Sequence, residues 1–202
     1  MQKLPQALQD VVQQLAQLPG VGPKSALRMG LTLLQWPEDK VRSLGQAIRG
    51  LRDSLTLCSE CGALSDTELC ALCADPQRRE DVLCLVADWD ALLSIDQAGF
   101  FQGKYLILGG LLSPLDGVQA SQLDVQRLKT RLGTGRVQEL ILALGSTREA
   151  EATESFIADL VHKEYPRVKI TRLAQGIPVG SDLRYVDQET LKQSMQHRQT
   201  LS

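Results

Sequence analysis

The stretch "CSECGALSDTELCALC", Cys58 to Cys73, divides the chain into two hydrophobic periods. Before it, apolar residues recur every three or four positions. After it, they gather into short runs separated by helical patterns. Within it, Cys58/Cys61 and Cys70/Cys73 form two CxxC pairs with eight residues between them. Each pair offers two thiolates to one tetrahedral ion, and the loop is long enough to fold back. All four ligand positions come from the protein, so no open position remains for water or substrate. The spacing points to one structural Zn²⁺ per chain. Two redox pairs or disulfides are the other readings of CxxC. The fifth cysteine, Cys84, lies inside an apolar run and is assigned to the core.

Upstream, Leu8, Val11, Val12, Leu15 and Leu18 recur at helical spacing and predict a helix over 6–17. "PGVG" breaks it. Pro23 suits the first turn of a second helix, which runs to Gln35 with Ala26, Leu27, Leu31 and Leu34 apolar. Trp36-Pro37 ends that helix. Glu38 and Asp39 open a third, with Val41, Leu44, Ile48, Leu51 and Leu55 on one face.

The turn "LPGVGPKSALRM" (18–29) holds more than an αα connection needs. A Gly-x-Gly corner feeding a helix N-terminus exposes consecutive backbone N–H groups with no side chain in the way. Those groups and the helix dipole suit a phosphate. Lys24 and Arg28, four apart, share a helix face and can reach the same strand. The pattern resembles a helix-hairpin-helix motif, a sequence-neutral DNA contact through Gly20, Val21, Gly22, Lys24 and Arg28. A plain helix–helix turn with a glycine cap is the alternative.

Downstream, "VLCLVA" (82–87), "YLILGG" (105–110), "LILAL" (140–144) and "VKITRL" (168–173) read as buried strands. Helical patterns lie between them at 89–98, 122–132 and 150–164. The alternation predicts a parallel sheet with helices on both faces, hence a multi-part α/β chain. A short last helix, 188–198, follows "GIPVGSDLRYVD".

Composition sets outer bounds. The chain has 202 residues, 43% of them hydrophobic and only 4% aromatic, so Leu, Val, Ile and Ala fill the core. A net charge of −2 excludes a polycation that coats nucleic acid indiscriminately. Residues 1–57 nevertheless hold seven Lys/Arg against four Asp/Glu, which favours this segment for contact with an acidic polymer. No apolar run reaches the roughly 18–20 residues of a membrane span, and "MQKLPQALQDVV" has no signal-peptide core. A cytoplasmic, membrane-free protein is expected, as the metal-type cysteine spacing also suggests.

The order of hairpin, four-cysteine motif and small α/β part resembles the RecR family of bacterial recombination mediators. The matches include "GGLLSPLDGV" (109–118), "EAEAT" (149–153), "RLAQGIPVGSDL" (172–183) and "TL" (190–191). The resemblance implies four parts. They are a helix-hairpin-helix DNA-binding domain (1–56), a four-cysteine zinc finger (57–79), a Toprim-like domain (80–174), and a C-terminal segment (175–202) for oligomer contacts. It implies a non-enzymatic mediator of recombinational repair, nucleoid-associated, forming a dimer or tetrameric ring that clamps DNA. Its implied partners are RecO and RecF, with which it loads RecA on single strands.

A working Toprim site needs a Glu after the first strand as acid/base and a D-x-D pair after a later strand for Mg²⁺. Here Ala87 stands in the first place, and Gly145-Ser146-Thr147 in the second. Glu149 and Glu151 remain: two carboxylates two residues apart could bind a metal weakly but without turnover, serve as partner-binding residues, or form a charged helix N-terminus. The chain departs from the family pattern at Ala87, at Ala150 and at Gln175. The rival reading is a Mg²⁺-dependent nuclease or primase-like enzyme on the same fold. A third is an RNA-binding zinc protein. "SPLDG" (113–117) reads as turn chemistry, "GIPVG" (176–180) as a loop without the ending of a phosphate loop, and His162 and His197 as solvated.

Overall fold

A computed structural model describes residues 4–114, 116–174 and 176–198. Leu115 of the "SPLDG" turn, Gln175, and the last four residues of the expected C-terminal segment lie outside the described residues. The chain forms two compact units that divide between Ser54 and Leu55.

The first unit is helical: α1 (Gln6–Leu15), α2 (Pro23–Gln35) and α3 (Glu38–Gly50). Ala26 and Gly30 are the buried residues of α2. A Cβ on Gly30 would lie 3.0 Å from Leu8 Cδ1 and 3.4 Å from Val12 Cγ2. Glycine there lets α1 and α2 approach closely. Trp36 leaves the helix in extended backbone, as the residue before a proline prefers. Lys40 Nζ sits 3.8 Å from the centre of the Trp36 ring. The third helix stops at Gly50, short of the Leu55 that the apolar pattern suggested. Neither α1 nor α3 buries a residue, and Ile48 and Leu51 are 65% and 58% exposed. Three short helices have too little volume to cover every apolar stripe they carry.

The second unit opens with the cysteine segment. A two-stranded antiparallel ribbon, β1 (Thr56–Leu57) and β2 (Leu64–Ser65), precedes the one-turn helix α4 (Ala71–Ala74). A four-stranded sheet follows: β3 (Arg79–Val86), β4 (Gly103–Ile107), β5 (Glu139–Ala143) and β6 (Lys169–Arg172). All its pairings are parallel, in the order β4-β3-β5-β6. The connecting helices are α5 (Trp89–Gln97), α6 (Val125–Gly133) and α7 (Arg148–Glu164), and α8 (Gln188–Gln196) closes the described chain.

Strand alternation separates the two faces of the sheet. Leu83, Leu85, Leu106, Leu140 and Leu142 pack with Leu128 and Leu132 of α6 and with Ile157 and Val161 of α7. Cys84, Val86, Tyr105, Ile107 and Ala143 form the other face. There Leu92 of α5 shares the cover with Cys58, Cys61, Ala63 and Cys70. Helices do lie on both faces, as the alternation predicts. The second face, however, is roofed in part by the cysteine knuckle, which no periodicity announces. Cys84 is 2% exposed, in the core where the sequence places it.

Candidate nucleic-acid interface and zinc centre

The hairpin between α1 and α2 is held by its own backbone. Leu18 N–H donates to Leu15 O and Val21 N–H to Leu18 O. Gly20 has φ +77°, a conformation that side chains resist. Gly22 caps α2 with φ −77° and no side-chain hydrogen bond. Its φ is open to any residue, and a Cβ there would meet nothing within 4 Å. The fold therefore requires glycine at position 20 and not at position 22. Ala26 N–H donates to Gly22 O. Among the described residues, the amides of Gly22, Lys24 and Ser25 find no acceptor. Lys24 and Arg28 lie exposed on α2, and among the described residues no carboxylate pairs with either. The five predicted hairpin residues thus run from the turn through the first two turns of α2, with Arg28 one turn beyond Lys24. Open amides and two free cations can receive an anion there.

The four predicted cysteines converge. Their Sγ atoms all lie within 4.8 Å of one another, and Cys61 and Cys70 are 3.5 Å apart. Sulfurs sharing a tetrahedral zinc at about 2.3 Å stand about 3.8 Å apart, so the set fits one ion. None is bonded in a disulfide. Cys70 N–H points at Cys58 Sγ (3.4 Å) and Ala63 N–H at Cys61 Sγ (3.5 Å), orienting sulfurs toward the common centre. A hydrogen bond from Cys73 pulls the Cys61 thiol down to about 6, while the same bond pushes Cys73 up. Burial pushes Cys70 up to about 11. Sulfurs this close cannot ionise together on their own, and a divalent cation removes that obstacle.

The knuckle is bolted to the α/β layer by contacts the sequence reading missed. Ile107 N–H of the edge strand β4 donates to Cys61 O (2.8 Å). Arg127 Nη1 reaches Cys58 O (3.2 Å), and Arg131 Nη1 pairs with Glu60 (2.8 Å). Lys104 Nζ donates to the carbonyls of Leu72 (3.2 Å), Cys73 (2.8 Å) and Asp75 (2.8 Å). A lysine inside an apolar strand, "GKYLI", was the available signal.

At the carboxyl ends of β3 and β5 the acids of a Toprim centre are not assembled. Ala87 is buried at 8%, and the next residue, Asp88, caps α5 by accepting from Ala91 N–H. Thr147 caps α7 by accepting from Ala150 N–H. Glu149 and Glu151 both lie exposed in the first turn of α7. Two residues apart on a helix, they diverge by about 200°. Glu151 lines a cleft of about 550 Å³ with Ser146, Asp187 and Glu189, and Glu149 is not part of its wall. Among the described residues, the four cysteines alone bring three or more ligating groups together. Thr153, the last residue of "EAEAT", is fully buried and accepts from Leu112 N–H (2.8 Å). It anchors the 109–118 loop, where Ser113 and Val118 exchange backbone bonds and Ser113 Oγ holds Asp116. That loop is built as turn chemistry. His162 and His197 are exposed.

Family models match four successive stretches of the chain. A RecR helix-hairpin-helix model matches residues 8–51, and a RecR four-cysteine zinc finger model matches 55–75. A Toprim domain model matches 81–174, and a RecR C-terminal model 176–199. The chain is 53% identical over 201 residues to Recombination protein RecR of Nitratidesulfovibrio vulgaris, with all of both chains covered. It is 53% identical over the same span to the protein of that name from Maridesulfovibrio salexigens. It is 44% identical to that of Halorhodospira halophila over 191 residues, 95% of this chain and 94% of the relative.

Proposed function

Because the chain belongs to the RecR family, we propose that it is a DNA-binding mediator of recombinational repair that works without catalysis of its own. The observation that carries this reading is the hairpin. Gly22 is free of any steric demand from its own chain, three amides stand open, and Lys24 and Arg28 have no acid partner among the described residues. A sugar–phosphate backbone supplies what all these groups lack. Gly20, Val21 and Gly22 give the bare corner, and the two cations fix the strand from one side. The contact is neutral to base sequence.

Two cations per chain bind weakly. Several hairpins in one assembly raise affinity through effective concentration, so a dimer or tetrameric ring around DNA completes the proposal. The exposed apolar face of α3 supports self-association. By family resemblance, RecO and RecF are the partners and loading of RecA on single strands the outcome, in the bacterial cytoplasm at the nucleoid. Glu149 and Glu151, exposed at the start of α7, are available to a partner protein. No helix among the described residues is long and apolar enough to cross a membrane.

The enzyme reading has less support, since Ala87 carries no acid and Glu149 and Glu151 diverge. An assay for nicking or primer synthesis with Mg²⁺ and Mn²⁺ tests it. Activity abolished by E149A/E151A would overturn the non-catalytic reading. For DNA binding, a K24A/R28A double variant is expected to bind more weakly and to lose about two units of salt slope per engaged protomer. An unchanged slope places the contact elsewhere.

A further inference from the structure

Lys104 is 3% exposed on β4, with its ammonium against the second half of the cysteine knuckle. Its three N–H groups are satisfied by three backbone carbonyls, those of Leu72, Cys73 and Asp75. Carbonyls supply dipoles and no net charge. Among the described residues no carboxylate pairs with Lys104, which is an expensive way to bury a cation. Other cations around the knuckle have acid partners. Arg78 pairs with Asp96, Arg127 Nε sits 3.2 Å from Asp124, and Arg131 pairs with Glu60.

Four thiolates around one Zn²⁺ carry a net charge of −2. Cys73 belongs to that set, and its own carbonyl holds the Lys104 ammonium at 2.8 Å. We infer that Lys104 is the counter-charge of the loaded zinc centre, so that this residue couples metal affinity to the stability of the α/β unit in addition to the packing of the knuckle on the sheet. The anionic centre lowers the cost of burying the lysine, and the lysine lowers the cost of burying the anionic centre. By linkage the two benefits are the same size.

The test is competition for zinc between the full-length protein and a colour-forming chelator. K104M, similar in volume and uncharged, is expected to hold zinc about 10–100-fold more weakly, the usual effect of losing a group that supports metal ligands. K104R keeps the charge and should recover much of the loss. K104Q keeps donors without charge and should not. Co²⁺-loaded K104M should retain a tetrathiolate spectrum, showing that the ligands themselves are in place. Thermal melts complete the cycle. Zinc removal should lower the wild-type transition more than that of K104M, because only the wild type is left with an unanswered buried charge.

Wild-type zinc affinity in K104M, or equal losses of melting temperature on zinc removal, overturns the inference. If K104M fails to fold, the other two variants decide. Recovery by Arg alone supports the charge role, and recovery by Gln reduces Lys104 to a hydrogen-bond donor. Direct metal analysis of the wild type checks the zinc centre itself independently.

Discussion

Gly20 and Gly22 stand two residues apart in one turn and answer to different demands. Gly20 holds φ +77°, so G20A should cost the helical unit about 1–2 kcal/mol, read as a lower melting temperature. Gly22 has an ordinary φ and open space around it. G22A should therefore stay within about 0.5 kcal/mol of wild-type stability. The added methyl would stand where a phosphate approaches the amides. Losing one such hydrogen bond costs about 1 kcal/mol, about fivefold in DNA affinity. A G22A protein with unaltered DNA binding would remove the corner from the interface. Thr153 makes a third case. Its hydroxyl is the acceptor for Leu112 N–H, and T153V keeps the shape but leaves that amide unmet. A loss of about 1–3 kcal/mol in chemical denaturation is expected.

Among the elements, the cysteine knuckle concentrates the metal dependence. Structural zinc in small units supplies on the order of 10 kcal/mol of folding free energy. C70S should lose its zinc, measured as metal content falling well below one ion per chain, and should unfold at a lower temperature. A C70S protein with full metal and an unchanged melt would remove the structural role. The elements were legible in the sequence to different depths. Val82 to Ala87 and Leu140 to Leu144 are continuous apolar runs with no competing signal, and each is a strand up to its last residue, β3 ending at Val86 and β5 at Ala143. The four ligands were legible because thiol spacing is local chemistry. The site's support was not, because Lys104, Arg127 and Arg131 come from distant parts of the chain and reach the knuckle only through the tertiary fold. The end of α3 was misread. Leu51 and Leu55 continue the apolar period, but from Gly50 the helix tightens into turns, with Leu51 N–H donating to Ile48 O and Asp53 N–H to Gly50 O, and glycine is a poor residue for extending a helix. Glu149 and Glu151 look adjacent in the string, and helical rotation turns them apart.

For the molecule as a whole, charge and shape divide the labour. The basic excess lies in the first unit, and the cleft at the strand ends of the second is walled by Glu151, Asp187 and Glu189. A polyanion is favoured by one and repelled by the other. Native mass measured with and without duplex DNA should show more than one chain, and a strictly monomeric protein bound to DNA would rule out the clamp. The cytoplasmic and family-level readings came from composition and motif order, whereas the number of chains is not written in either. It depends on how exposed faces such as that of α3 meet.

The cysteine roof over one side of the sheet ties the protein's fate to nutrition. A newly made chain that meets no zinc leaves Val86, Tyr105 and Ile107 under an unset lid, with β4 as a bare sheet edge inviting wrong neighbours. Starvation for the metal would then thin out the pool of this protein through clumping and proteolysis, well before any strand of DNA is touched.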